Sequence, residues 1–196
     1  NGLEYDVVFH PVDTTVNTVI YEDKSLTVAT IPLQHRIECC GFLFKEKPAL
    51  PHIRRDMIDY YGIPELQRSS FKQGADWITP EGEVIANSRL TTPADKPRAY
   101  AYCSDTKYLP HLHELLKDVD LLYHEATYCD ADEERAKLYF HSTAGQAAMV
   151  AKQANAKRLV LGHFSARYAN EQAILDDAKK VFKSSVLADE MSIFDI

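Results

Sequence analysis

Four apolar stretches of this chain each run into a residue capable of chemistry. LTVATIPLQ (26–34) ends at His35, RAYAYCS (98–104) at Asp105, DLLY (120–123) at His124-Glu125, and RLVLG (158–162) at His163. A fifth candidate, His141, opens the segment HSTAGQAA. Imidazole and carboxylate together form a ligand set suited to zinc and other first-row metals, and both groups serve as general acids or bases. A single histidine at a strand exit is more often structural. Four strand ends with the same kind of ending point instead to a shared site, because loops at strand ends build the sites of α/β sheets. The remaining histidines do not join them. His111 and His113 fall in a predicted helix, where residues i and i+2 point about 200° apart and cannot share one ion. His10 and His52 sit beside prolines in loops.

The elements that must position these residues come in two styles. The first 45 residues are rich in Val, Ile, Thr and Tyr, and YDVVFH, VNTVIYED, SLTVATIPL and ECCGFLF read as short antiparallel strands. From residue 98 onward strands alternate with helices. RAYAYCSD, DLLYHEA and RLVLGHF are predicted strands, followed at the end by SVLAD and SIFDI. YLPHLHELLKDV, DEERAKLYF, STAGQAAMVAKQANA (capped by Ser142 or Thr143) and NEQAILDDAKKVF are predicted helices. This order implies a mixed sheet packed by helices. Between the two regions, residues 46–97 are punctuated by prolines. Short helices are predicted at IRRDMIDYYG and PELQRSSFKQG, and a hairpin in WITPEGEVIAN turning at Glu81-Gly82, so this stretch reads as an inserted arm.

Composition excludes several classes. At 196 residues, 45% hydrophobic and 26% charged, the chain is expected to form one soluble domain, or most of one. No apolar run approaches the roughly 20 residues that span a bilayer. The opening NGLEYDVVFH lacks the basic-then-apolar pattern of a signal peptide, and it lacks an initiating Met, so the chain is expected to begin inside a longer one. The four cysteines form neither a disulfide framework nor a CxxC pair, which is the expectation for reduced thiols in a cytoplasmic protein. A net charge of −7 argues against non-specific nucleic-acid binding without excluding a local basic patch.

Taken together, LQHRIECCGFLF, YCSDT, LLYHEATY, HSTAGQAA and LVLGHFSARY resemble ribonuclease Z, the metallo-β-lactamase-superfamily endonuclease that trims the 3′ trailer of precursor tRNA. The resemblance runs from about residue 27 to the end. It implies an α/β (α+β) fold, the metallo-β-lactamase-like αββα sandwich, of which these residues would be mainly the C-terminal portion with an inserted arm. It also implies two zinc ions per site, with His35 on one, His163 on the other and Asp105 bridging them. His141 would contact the scissile phosphate and assist the leaving group, oriented by Glu125 with His124 alongside. The chemistry suits two-metal hydrolysis, in which paired cations clamp a phosphodiester and generate hydroxide near neutral pH.

One departure is large. The family's HxHxDH motif and the glycine-rich segment before it do not occur in these residues, and the only HxH is His111-Leu112-His113. A fragment is therefore expected, inactive by itself, with part of its apolar sheet lacking a partner layer. The family's arm, which grips the tRNA elbow, corresponds to residues 46–97. Arg54, Arg55, Arg68 and Lys72 are its RNA-binding candidates, although a run of mixed charge is usually a solvated face. The resemblance further implies a cytoplasmic homodimer. The competing readings are another metallo-β-lactamase-fold phosphodiesterase and a non-catalytic RNA-binding subunit.

Overall fold

The structure, a computed structural model, describes residues 5–196. Two compact units divide the chain: Asn1–Glu46 with Arg98–Ile196, and Lys47–Pro97. In chain order the first unit begins with strands β1 (Val19–Glu22), β2 (Leu26–Pro32) and β3 (Cys40–Glu46). The inserted unit follows, with β4 (His52–Ile53), α1 (Arg55–Tyr60), α2 (Arg68–Phe71), β5 (Trp77–Ile78), β6 (Val84–Ile85), α3 (Asn87–Leu90) and β7 (Thr91–Thr92). The first unit then resumes with β8 (Ala99–Cys103), α4 (Leu112–Leu115), β9 (Leu121–Glu125), α5 (Glu133–Tyr139), α6 (Ala144–Gln153), β10 (Arg158–Gly162), α7 (Gln172–Val181) and β11 (Ser185–Leu187).

The sheet of the first unit has the order β1-β2-β3-β8-β9-β10-β11. Pairing is antiparallel from β1 to β8 and parallel from β8 to β11. Since β2 and β8 are each antiparallel to β3, they point the same way as each other and as β9 and β10. The four strands that precede the candidate residues therefore all end on one edge of the sheet. The mixed sheet read from the sequence is present, and for a stated reason: hairpin turns join the first strands, whereas helices carry the chain between the later ones.

Side-chain alternation gives the sheet two faces. Ile31, Leu43, Ala101, Cys103, Leu122, Leu159 and Leu161 pack in one core with residues of α4, α6 and α7. Helix α6 contributes Ala144, Ala147, Ala148 and Ala151, all fully buried, and these small residues let it lie close to the sheet. Its N-terminus carries a capping box, in which the Thr143 side chain accepts from Gln146 N and the Gln146 side chain accepts from Thr143 N. Thr143, rather than Ser142, is the cap. The opposite face carries an aromatic row. Phe44 stacks on Tyr100, and Tyr102 on Tyr123 at 4.7 Å, with Tyr102 38% exposed.

The inserted unit has its own small core of Ile58, Ile63, Phe71, Ile85 and Leu90. The predicted hairpin forms as β5–β6, and Gly82 supplies the positive φ (+87°) that its turn requires. Three predicted elements are corrected. Residues 5–10 form no strand, and Phe9 is 88% exposed. SIFDI forms none either, with Ile193 90% exposed. Apolar alternation makes a strand only where an edge is available to pair with. The helix at 108–119 shrinks to the single turn of α4, capped by Leu116, with the left-handed Asp118 (φ 59°) in the turn that follows.

Replacing Thr143 with Ala should cost about 0.5–2 kcal/mol of stability by removing the cap of α6. Urea unfolding monitored by circular dichroism measures it.

Candidate metal centre

The carboxylates of Asp105 and Glu125 and the rings of His141 and His163 each offer a ligand atom, and these atoms all lie within 4.8 Å of one another. Asp105 and His163 follow directly from β8 and β10, and Glu125 closes β9, so three neighbouring parallel strands deliver them to one edge. His141 arrives from the turn between α5 and α6. The His35 ring, at the exit of β2, is 4.9 Å from that of His141, which in turn is 5.2 Å from that of His163. His35, Asp105, Glu125, His141 and His163 are thus brought together.

His124 is not. It precedes Glu125 on the same strand, so the two side chains leave opposite faces. Its ring is fully buried, Nδ1 lies 2.8 Å from the carbonyl of Glu125, and Nε2 has no partner. Burial pushes its pKa down, which keeps the ring neutral.

Glu125 organises the site. It is fully buried, and its carboxylate accepts from Thr106 N (2.6 Å), Thr127 Oγ1 (2.6 Å), His141 Nδ1 (3.0 Å) and Ser142 N (3.1 Å). Burial alone would raise its pKa. The bonds from His141, Thr127 and Ser142 outweigh that and hold it below the usual value. The same contact raises the pKa of His141 against its own partial burial.

Each imidazole facing the cluster has its Nδ1 engaged. His35 Nδ1 donates to the carbonyl of Phe140 at 3.0 Å, and His141 Nδ1 donates to Glu125. Thr127 gives its one hydroxyl hydrogen to Glu125, so its oxygen accepts from His163 Nδ1 at 2.9 Å. All three rings therefore present Nε2. For His163 the consequence is sharp. Its Nε2 lone pair faces Asp105 Oδ1 at 2.9 Å, and two acceptors at that distance repel unless a cation, either a proton or a metal ion, lies between them. Imidazole nitrogens with fixed tautomers beside carboxylates fit a zinc-type ion.

The backbone is held in an uncommon shape around these groups. Asp105 (φ 58°), Phe140 (φ 63°) and His163 (φ 60°) are all left-handed without being glycine. Sequence reasoning missed Thr106, Thr127 and Ser142, which satisfy Glu125. Thr106 adjoins Asp105, Thr127 lies two residues after Glu125, and Ser142 adjoins His141.

In the inserted unit Arg55 and Arg68 line one small pocket. Arg54 pairs with Asp56 at 2.7 Å, and Arg68 is half-buried with Glu65 at 3.9 Å, while Arg55 and Lys72 are exposed. All four cysteines are free.

The sheet, its helix layer and the strand-end site define a metallo-β-lactamase fold. A model of the β-lactamase superfamily domain matches residues 79–164. The metallo-β-lactamase fold protein YhfI from Bacillus subtilis superposes with a TM-score of 0.55 over 90% of this chain and 50% of its own, at 14% identity. Human tRNase Z, short form, gives 0.52 over 93% of this chain and 48% of its own, at 24% identity. In sequence the chain is similar to curated proteins named ribonuclease Z. It is 55% identical over 188 residues to the ribonuclease Z of Bacteroides fragilis (strain YCH46), a match covering 96% of this chain and 62% of that protein. The chain thus spans about three-fifths of the length of this relative.

Glu125→Gln should destabilise the chain by roughly 3 kcal/mol or more, since an amide cannot accept from four donors. The loss should also depend on pH. The lowered pKa of Glu125 contributes stability that is present above about pH 4.5 and lost as pH falls through its folded-state value. The raised pKa of His141 contributes stability that is present below about pH 6.5 and lost as pH rises through its folded-state value. The gap between wild type and variant is therefore widest between those two values. Denaturant midpoints across the pH range, with NMR titration of His141, measure both effects.

Proposed function

We propose that this chain is the C-terminal part of a cytoplasmic, zinc-dependent endoribonuclease that removes the 3′ trailer of precursor tRNA and works as a homodimer. The observation that carries the reading is the convergence of Asp105, Glu125, His141 and His163 on one edge, in a chain 55% identical to a ribonuclease Z. His35, Asp105 and His163 would hold two zinc ions together with ligands from an HxHxDH segment, a motif these 196 residues do not contain. Bound there, such ions make a water nucleophilic near neutral pH and draw charge from the phosphate.

The rest follows from the chain's own side chains. Glu125 fixes the His141 ring through Nδ1 and favours its protonated form, so Nε2 carries a proton toward the cluster. As the water oxygen bonds to phosphorus, the bond to the 3′-oxygen breaks, its electron pair stays on that oxygen, the Nε2 proton neutralises it, and the trailer keeps the phosphate at its 5′ end. The tRNA leaves with a 3′-hydroxyl. The unit Lys47–Pro97, placed in sequence between His35 and Asp105, is the tRNA-gripping arm, with its exposed Arg55 and Lys72 meeting phosphates. No helix of the described residues is long and apolar enough to cross a membrane.

A 3′-extended precursor tRNA, incubated with zinc and either this chain or a longer protein reaching an upstream HxHxDH, is the test. Only the longer protein should cut, and a chelator should abolish cleavage until zinc is restored. A longer protein that hydrolyses small phosphodiesters but leaves precursor tRNA intact would support the competing phosphodiesterase reading. His141→Ala should lower kcat by about 10²–10⁴-fold. Arg55→Ala with Lys72→Ala should weaken tRNA binding and spare hydrolysis of a small phosphodiester. Equal loss on both substrates would refute the arm's role.

A further inference from the structure

Two cations flank the turn that presents His141. The Arg36 guanidinium lies over the Tyr139 ring, 5.1 Å from its centre, and the Lys107 ammonium lies 5.8 Å from the centre of the Phe140 ring. The two rings immediately precede His141. Arg36 follows His35, and Lys107 stands two residues beyond Asp105, so the chain ties each cation to a candidate ligand. Backbone bonds join their loops, with Lys107 N donating to Gln34 O at 2.9 Å.

Several other cations of the molecule are neutralised, whereas these two, like Arg89 over Tyr61, rest on a ring. Arg54, Arg98, Lys157, Arg167 and Lys180 each pair with a carboxylate. Arg36 and Lys107 have no such partner among the described residues, in a chain with 29 carboxylates to offer. The face of an aromatic ring holds a cation in place without neutralising it. The charge of Arg36 also reaches His141, where it opposes protonation. A cleft of about 430 Å³ is lined by Gln34, His35, Arg36, Glu38 and Cys39 among others. That volume is in the range of small-molecule sites and accommodates a nucleotide.

We propose that Arg36 and Lys107 bind the backbone phosphates adjoining the scissile one, and so hold the RNA strand across the site independently of its sequence. The inference rests on the endoribonuclease reading and adds two substrate-binding residues to it. An Arg fork takes two phosphate oxygens, whereas Lys acts as a point charge, and neither reads a base. Both belong to the unit that carries the site and not to the unit Lys47–Pro97, so they act on short single-stranded RNA as well as on tRNA.

The test uses fluorescence anisotropy of a labelled single-stranded oligoribonucleotide, titrated at several salt concentrations against this chain. Each of Arg36→Gln and Lys107→Gln should reduce the slope of log K against log salt by about 0.7, and the double variant by about 1.4. Arg36→Lys should keep the slope, and Lys180→Gln, at an ammonium paired with Asp177 away from the site, should leave it unchanged. In the longer, active protein the double variant should raise KM for precursor tRNA while leaving hydrolysis of bis(p-nitrophenyl) phosphate at the wild-type rate. Wild-type slopes in both glutamine variants would overturn the inference, even in a protein that cleaves tRNA normally. So would a parallel loss on the small substrate, which would show that the cations only brace the turn bearing His141. An active protein that cuts no tRNA would overturn the endoribonuclease reading instead, and the anisotropy slopes would still report on Arg36 and Lys107.

Discussion

A carboxylate removed from water must be satisfied by the protein around it, and Glu125 meets that demand with donors from three separate loops. Thr106 comes from the loop after β8, Thr127 from the loop after β9, and His141 with Ser142 from the turn before α6. The bonds continue outward. Thr106 Oγ1 accepts from Gln34 N, Ser142 Oγ donates to Thr106 O, and Thr127 accepts from His163. Every loop that carries a candidate ligand is therefore within one or two hydrogen bonds of a single buried charge. Moving any one of them would leave that charge short of a donor, which is costly in a dry interior. The site's geometry follows from this requirement before any metal is considered.

The backbone carries the cost of that arrangement. Asp105, Phe140 and His163 all adopt positive φ, a conformation that disfavours any side chain with a Cβ. Glycine would relieve the strain at each position, but at 105 and 163 it would remove the candidate ligand. The chain therefore trades stability for the direction in which a carboxylate and an imidazole leave the ends of β8 and β10. Neighbouring helix and sheet packing, with the alanines of α6 against β9 and β10, provides the rigidity that holds such turns.

Much of this was legible in the sequence because it depends on local rules. An apolar run followed by His or Asp marks a strand end, and four such ends on parallel neighbours fall on one edge. The fold follows from that pattern together with the resemblance to ribonuclease Z, and so do five candidates that the structure brings together. His124 was misplaced although the rule that excludes it is elementary, since adjacent strand residues face opposite ways. The motif carried the pair forward as a unit where the pleat separates it. The donors to Glu125 were harder to read, because Thr106 and Ser142 act through backbone N–H groups that no side-chain pattern reveals. The strands expected at 5–10 and in SIFDI failed because alternation shows which face would be buried without showing what it would be buried against.

Gly162 shows how the two faces of the sheet meet at the site. It ends β10, directly before His163, and a Cβ there would collide with the hydroxyl of Tyr123. Tyr123 belongs to the aromatic row, stacked on Tyr102, and its hydroxyl has its pKa raised chiefly by burial and also by the charges of Tyr102, Glu125 and Asp105. The aromatic face thus extends to the base of the ligand loop, and the absence of a side chain at 162 makes that approach possible. The left-handed His163 begins where Tyr123 ends, so the position of its ring depends on the aromatic row on one face as well as on Thr127 and Glu125 on the edge. A single β layer with its helices is enough to fix the rings of His141 and His163 side by side, because every bond that orients them lies within residues 106–163.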